Sequence, residues 1–355
     1  MTDLNTYGQV NFTKNLYFRS TFGINRSLIN QSDFQNKNFG DASSVGGRVY
    51  RQQDLINSWT WNNMLNYDVR FGSHHIEAMA SYEAYKYYYE TIYGSKTGFA
   101  FDEQDQLTNA ATSEDFQGYN VSSTLLSALG RIKYDYSGKY FAEFTVRRDG
   151  SSVFAPGFRY GWFPAAGASW LLSNESFLKG SKTISVLKLR ASYGALGNNG
   201  LLNGSGNSAY FPYLSTYASG NNDLTYPGVY LNQLANARIQ WEKQLNTNIG
   251  LDFELFKSRL SGSLDLFQKN SKNLVLNQPL APSSGFGTVQ TNIGKVENAG
   301  IELNLSYGII RSRDLRLDVL FNITYLKNKI QELLPGVDTF AQKGVFRNVV
   351  GKSGL

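Results

Sequence analysis

From Leu245 to Leu255 every odd position is apolar or Thr, and every even position is Asn, Gly, Asp or Glu. After Phe256-Lys257-Ser258-Arg259 the alternation resumes, with Leu260, Gly262, Leu264 and Leu266 set against Ser261, Ser263 and Asp265. A second hairpin follows the same rule. Ile301, Leu303, Leu305 and Tyr307 alternate with Glu302, Asn304 and Ser306, and Leu315, Leu317, Val319, Phe321, Ile323 and Tyr325 alternate with polar residues, Leu320 being the exception. Strict period-2 patterning predicts strands with one apolar and one polar face.

The same pattern predicts strands along the rest of the chain, at 5–13, 16–24, 59–71, 76–84, 129–136, 140–148, 160–172 and 187–193, about 12 strands in all. Short turns fall near 14, 73, 137, 257 and 311, with a moderate link near 179. Polar segments fall at 26–55, 89–122, 149–158, 197–238 and 270–299. Short and long connections alternate without a break. In an antiparallel sheet this places all short turns at one end and all long loops at the other, the layout of an outer-membrane barrel. A soluble sandwich, propeller or solenoid is the competing architecture, but no fixed repeat is visible.

Composition agrees. Aromatics are 14% of the chain, dominated by 23 Tyr and 23 Phe. A mean hydropathy of −0.34 suits a transmembrane barrel as well as a soluble protein, because only alternate strand residues meet lipid. No apolar run is long enough for a transmembrane helix. The net charge of +6 is spread out, with no basic block of the kind that binds nucleic acid. Without Cys, disulfides and thiolate metal sites are excluded. Met1-Thr2-Asp3 leads straight toward a strand, with no targeting segment, and the pattern decays after Lys329. The chain therefore reads as an internal piece of a larger barrel, with 1–355 forming one partial barrel domain.

Candidate catalytic chemistry is sparse. His74 and His75 are adjacent at a hairpin turn, so they point to opposite faces and cannot share one metal; they are expected to be solvent-exposed. No Gly-x-Ser-x-Gly elbow exists, and Gly351-Lys352-Ser353 lacks the preceding glycine of a phosphate loop. Asp102, Glu103 and Asp105 lack cation-loop spacing and read as a solvated acidic loop. No cofactor is expected, and the chain is not expected to be an enzyme. The binding candidates are Tyr210, Tyr213, Tyr217, Asn221, Asn222 and Tyr226, in one polar loop where aromatic faces flanked by amides suit a sugar or a peptide. The same rings equally suit packing of the loop on itself.

Five ordered stretches, covering about residues 125–330, resemble the SusC/RagA family of TonB-linked outer-membrane transporters of Bacteroidota. They are Phe141–Ser152, ending Arg-Arg-Asp-Gly-Ser-Ser; Tyr160-Gly161-Trp162-Phe163-Pro164; Leu187–Gly194 with Gly197-Asn198; Trp241-Glu242 before Asn248-Ile249-Gly250-Leu251-Asp252; and Ser284-Gly285-Phe286 before Asn292–Leu303. The resemblance implies an antiparallel transmembrane β-barrel of 22 strands, plugged by an N-terminal domain and lidded by a SusD-like lipoprotein. It also implies TonB–ExbB–ExbD as energy source, an oligosaccharide or peptide as substrate, and outer-membrane lipid around the wall. Relative to that pattern the chain shows no plug, no TonB box and no closing strands. A siderophore or vitamin receptor, and a soluble all-β binding or adhesion module, are the alternatives.

Overall fold

The computed structural model describes residues 1–101, 104–201, 210–220, 226–333, 339–342 and 346–350, with the backbone alone for 339–342 and 346–349. The strands are β1 (Thr2–Asn11), β2 (Leu16–Gln35), β3 (Arg48–Phe71), β4 (His74–Phe99), β5 (Ala110–Tyr136), β6 (Tyr140–Ser151), β7 (Tyr160–Leu171), β8 (Ile184–Asn198), β9 (Thr216–Ser219), β10 (Val229–Gln233), β11 (Glu242–Leu255), β12 (Leu260–Lys272), β13 (Val275–Pro279), β14 (Thr288–Asn292), β15 (Lys295–Arg311), β16 (Arg316–Glu332), β17 (Thr339–Gln342) and β18 (Phe346–Val349). Twelve of them form one sheet in chain order, β1 to β8 followed by β11, β12, β15 and β16. The pairs β9–β10, β13–β14 and β17–β18 are separate hairpins. No described helix is long and apolar enough to cross a membrane.

The turns expected near 14, 73, 137, 257 and 311 are all present. The long polar segments differ from expectation. Strand β2 continues to Gln35 and β3 starts at Arg48, so the first loop spans only 36–47; likewise β4 continues to Phe99 and β5 starts at Ala110. These strands reach 20 to 27 residues, whereas a tilted strand crosses a bilayer in about 9–11. Beyond the bilayer no lipid imposes an apolar face, so the extensions lose the alternation by which strands are recognised.

The chain divides into two compact units, and β2 to β5 pass through both. The first comprises Met1–Val10, Arg19–Asn63 and Tyr82–Leu126. Its small core sits at the loop end, where Val49, Phe99 and Ala110 pack with Phe34 and Leu107, and Phe34 meets Phe99 edge-on at 5.3 Å. Arg48 there donates two bonds of 2.7 Å to Glu114, and Ser95 Oγ donates a third of 2.7 Å. Residue 114 lies near the start of the 27-residue β5, outside the membrane span. The Arg48 bonds, then the Ser95 bond, hold its carboxyl down at about 2 against the opposing effect of desolvation. Because the folded pKa is depressed, the contribution to stability is complete above the unfolded value of about 4.3 and is lost as pH falls through about 2. Denaturation midpoints of the native protein and Glu114→Gln should therefore differ at pH 7 and converge on acidification; a constant difference would contradict this ion pair.

The second unit comprises Asn11–Phe18, Met64–Ser81 and Ser127–Leu355. Its register fixes two faces. One cross-strand row runs Ala142, Ala168, Ala191, Ile249, Leu266, Ile301, Tyr325, and the next runs Phe141, Ser169, Arg190, Gly250, Asp265, Glu302, Thr324. The first row's face carries the exposed apolar side chains, with Ile249, Leu266 and Ile301 each about half exposed. The second row's face is polar, and Asp265 on it is buried. An antiparallel sheet with its larger apolar residues on the bare face is built to meet lipid.

At the turn end of this unit a chain of rings crosses the sheet. His74 lies 5.1 Å from Phe71 and 5.0 Å from Tyr136, Tyr136 lies 6.2 Å from Tyr140, and Tyr140 stacks on Trp170 at 6.0 Å. The Tyr140 hydroxyl and Trp170 Nε1 donate to Glu175, at 2.6 and 3.1 Å, and Lys139 Nζ adds a third bond of 2.9 Å. Glu175 sits in the β7–β8 link, and these donors, Tyr140 foremost, hold it at about 2. Amphipathic rings tied by their polar tips to a carboxylate at the turn end mark a membrane boundary.

Candidate functional site

Two of the long expected loops, 197–238 and 270–299, are stitched together by amides. Asn236 Nδ2 donates to the Gln290 carbonyl at 2.7 Å. Asn292 accepts from the Gln240 amide at 2.9 Å and donates to the carbonyls of Gln240 and Asn273, both at 2.8 Å. Gln233 Nε2 donates to the carbonyls of Phe211 and Leu214 at 3.0 and 2.9 Å. Between them lies a cleft of about 300 Å³, lined by residues that include Pro212, Asn232, Gln233, Asn277, Phe286 and Gln290.

Local sequence explains how Phe286 arrives there. Pro282–Ser284 forms a single 3-10 turn, and Gly285 ends it at φ 76°, a left-handed conformation that glycine adopts without a Cβ penalty. The Ser284 hydroxyl then accepts from the Phe286 amide at 3.2 Å. The Ser-Gly-Phe motif is thus a turn that aims a ring. In the same way Asn292 and Gly294 (φ 143°) close the base of the β13–β14 hairpin.

Below the cleft the loops rest on a buried aromatic clip. Trp241 packs against Phe163 and Phe154, each at 5.3 Å, and donates Nε1 to the Arg159 carbonyl at 2.8 Å. Phe154 and Ile239 are fully buried. A Cβ on Gly161 or Gly197 would strike the Phe163 ring, so both positions need glycine. Glu242 beside Trp241 accepts from Asn198 Nδ2 and from the Val275 amide, both at 2.7 Å. In the Arg-Arg-Asp-Gly-Ser-Ser stretch, Arg147 Nε grips Asp149 at 2.7 Å, Arg148 lies 3.9 Å over the Tyr160 ring, and Ser151 accepts from Asn199 at 3.0 Å.

On the polar face Arg190 spans two neighbouring strands. It donates to both carboxylate oxygens of Asp252 at 3.2 Å, to Asn248 Oδ1 at 3.1 Å and to Asp265 Oδ2 at 2.7 Å. Asn248 Nδ2 also donates to Asp265, at 3.0 Å. Gly250 lies between Arg190 and Asp265 in the row, and a Cβ there would stand 2.5 Å from Arg190 Cζ. Towards the turns, a hollow of about 440 Å³ on this side is lined by His75, Glu77, Lys133, Glu143, Lys188 and Arg190 among others.

The expected exposure of the histidines is corrected. His74 is tucked among rings, with Nδ1 2.7 Å from the Tyr134 hydroxyl. The His75 side chain is only 16% exposed and lies 3.2 Å from Asp68 and 3.8 Å from Glu77. Burial follows because the strands on either side cover the hairpin end. These three residues place ligand atoms within 4.8 Å of one another, yet Lys133 Nζ, 3.7 Å from Glu77, already supplies positive charge to the cluster.

Of the loop residues singled out in the sequence, Tyr210 and Tyr213 are half-buried, while Tyr217 and Tyr226 are 71% and 75% exposed. None of the four lines the cleft. Asn221 and Asn222, like Asp102 and Glu103, lie outside the described residues; Asp105 pairs with Arg51 at 3.1 Å. Sequence reasoning also missed a patch in the first unit. Asp54 there accepts from Gln52 Nε2 at 2.8 Å and from the Tyr89 hydroxyl at 2.9 Å, Tyr50 lies 5.7 Å from Tyr93, and Tyr89 lies 6.0 Å from Tyr119. The alternation of Tyr85, Tyr87, Tyr89 and Tyr93 on β4 was the available signal.

A sheet bare and apolar on one face, polar on the other, with short turns at one end and stitched loops at the other, defines a section of outer-membrane barrel wall. The model of the family "TonB dependent receptor-like, beta-barrel" matches residues 2–348, and the chain belongs to that family. TonB-dependent receptor P3 of Formosa agariphila is 32% identical over 95% of this chain and 33% of its own length. TonB-dependent receptor SusC of Bacteroides thetaiotaomicron is 28% identical over 83% of this chain and 30% of its own. The fold matches the structure of the RagAB peptide transporter with a TM-score of 0.89 at 23% identity, over 98% of this chain and 38% of that one. The chain thus spans about a third of the length of these relatives. It is part of the outer-membrane β-barrel of a TonB-dependent receptor.

Proposed function

We propose that the protein containing this chain actively imports glycans or peptides across the outer membrane, powered through TonB–ExbB–ExbD and working with a SusD-like surface lipoprotein. This chain provides part of the wall and of the substrate-facing loops, and makes or breaks no bond. The loop cleft carries the reading. Its named polar side chains are uncharged amides, set beside Phe286, which is the chemistry that hydrogen-bonds and stacks on an uncharged chain of sugars or peptide units. Tyr210, Tyr213, Tyr217 and Tyr226 are proposed as further contacts around the loops.

Removing 197–238 from the full-length protein should abolish most uptake, or docking of the lipoprotein, while the barrel still folds. Uptake of radiolabelled oligosaccharide and peptide pools by cells measures this, and unchanged uptake would refute a role for the loop. A siderophore or vitamin receptor shares the fold: the ferric citrate transporter FecA aligns with a TM-score of 0.57 at 12% identity. Uptake of a ferric chelate in place of glycan or peptide would establish that second reading.

A further inference from the structure

At the turn end of the second unit two carboxylates converge on one imidazole nitrogen. The two-residue turn Gly72-Ser73 joins β3 to β4. It sets Phe71 against His74, Arg70 against His75 and Asp68 against Glu77, and the Phe71 and His74 rings stack accordingly at 5.1 Å. Asp68, Arg70, His75 and Glu77 therefore share one face. It is the polar face, because His75 and Glu77 line the hollow of about 440 Å³ together with Glu143, Lys188 and Arg190. There His75 Nε2 lies 3.2 Å from Asp68 Oδ1 and 3.8 Å from Glu77 Oε1.

A single proton on Nε2 serves one carboxylate and leaves the other facing a like charge directly across the strands, an unfavourable pairing. The nearby cations relieve this only in part. Lys133 Nζ meets Glu77 at Oε2, 3.7 Å away, which is too far for a hydrogen bond. Arg70 is exposed and makes no ion pair among the described residues. A divalent ion, in contrast, serves the nitrogen and both carboxylates at once. Zinc holds nitrogen and oxygen ligands at about 2.0–2.2 Å, so neighbouring ligand atoms of its tetrahedron stand about 3.4 Å apart. The two distances at Nε2 bracket that edge. The third edge, between the carboxylates, is no longer than 4.8 Å. It closes by rotation of two side chains that are 59% and 42% exposed.

We propose that Asp68, His75 and Glu77 bind one divalent transition-metal ion of the zinc class on the polar side of the wall. One imidazole with two carboxylates suits zinc better than calcium or magnesium, which take oxygen ligands. Asp68 comes from β3 and the other two ligands from β4, so the ion ties the two strands beside their turn. Three protein ligands leave a fourth position open towards the hollow. Lys133, of the same sign as the ion, keeps the site weaker than a closed structural one.

The test uses the full-length protein, purified in mild detergent without a polyhistidine tag and stripped with a chelator. Zinc alone is titrated by calorimetry, and bound zinc per barrel is counted by atomic emission. Asp68→Asn, His75→Ala and Glu77→Gln should each weaken binding by about 10-fold or more, the lower end of what losing even an outer partner of a metal ligand costs. His74→Phe, on the opposite face, should keep the native titration, and calcium should bind far more weakly than zinc. Zinc should also raise the urea midpoint of the native protein in lipid vesicles but not that of His75→Ala, a shift that a bare ion pair would not give. The two isosteric carboxylate variants keep the test informative if His75→Ala fails to fold, which loss of the barrel's heat-dependent shift on gel electrophoresis would reveal. Absence of zinc binding, equal zinc uptake by the native protein and the folded variants, an equal loss in His74→Phe, or calcium bound as tightly as zinc would each overturn the proposal.

Discussion

Arg190→Ala should destabilise the barrel by about 2–3 kcal/mol, seen as a lower urea midpoint of the full-length protein in lipid vesicles with unchanged slope. The change leaves Asp265, whose side chain is 12% exposed, with Asn248 as its only remaining partner among the described residues, and leaves Asp252 without its cation. Breaking one partner of a buried ion pair is costlier than the pair's net worth, because a charge remains behind. The figure is set below the range for fully buried pairs because a third of the Arg190 side chain is exposed. Arg190→Lys should recover only part of the loss, since an ammonium cannot fork between two carboxylates and an amide. Gly250→Val should act through the same contact by displacing the guanidinium. On the Arg190→Ala background it should therefore add little; full additivity would show that Gly250 serves some other purpose.

Trp241→Ala has the second large expected effect, and it is local. The indole joins Phe163, Phe154 and the Arg159 carbonyl and is only 4% exposed. Its removal leaves a void beneath the loop cleft worth about 3 kcal/mol. The sheet does not depend on it, so the energy is lost from closure of the loops. Protease cleavage between 199 and 240 should accelerate roughly 100-fold, as the open population rises with the lost free energy, while the barrel remains intact. Unchanged cleavage would mean that the loops are held by the amide stitches alone.

Much of this was legible in the residues, for a physical reason. Where lipid bounds a strand, every second residue must be apolar, and β11, β12, β15 and β16 announce themselves and their turns. Where water bounds both faces nothing enforces the period, and the outer parts of β2 to β5 read as loops. The motifs were visible, but their purposes were not. Gly197 and Gly161 look like loop residues until the Phe163 ring is seen against them, and Gly250 looks like a polar-face filler until Arg190 is seen lying across it. The loop tyrosines attracted attention by composition, whereas the cleft draws mainly on amides and on Phe286. Amides are common in any loop, and only folding reveals which of them converge.

The Arg190 bridge has a consequence for assembly. A strand that slips by one residue against its neighbour turns its whole lipid-facing set inward and its polar set outward. In β12 such a slip would put Asp265 into hydrocarbon and carry it out of reach of Arg190, so the wrong alignment loses its salt link and gains an unsolvated charge together. Arg190 reaches β12 across the intervening β11, past Gly250, so it checks the alignment of three strands at once. The bridge thus acts as a key that admits one alignment while the wall is being zipped together.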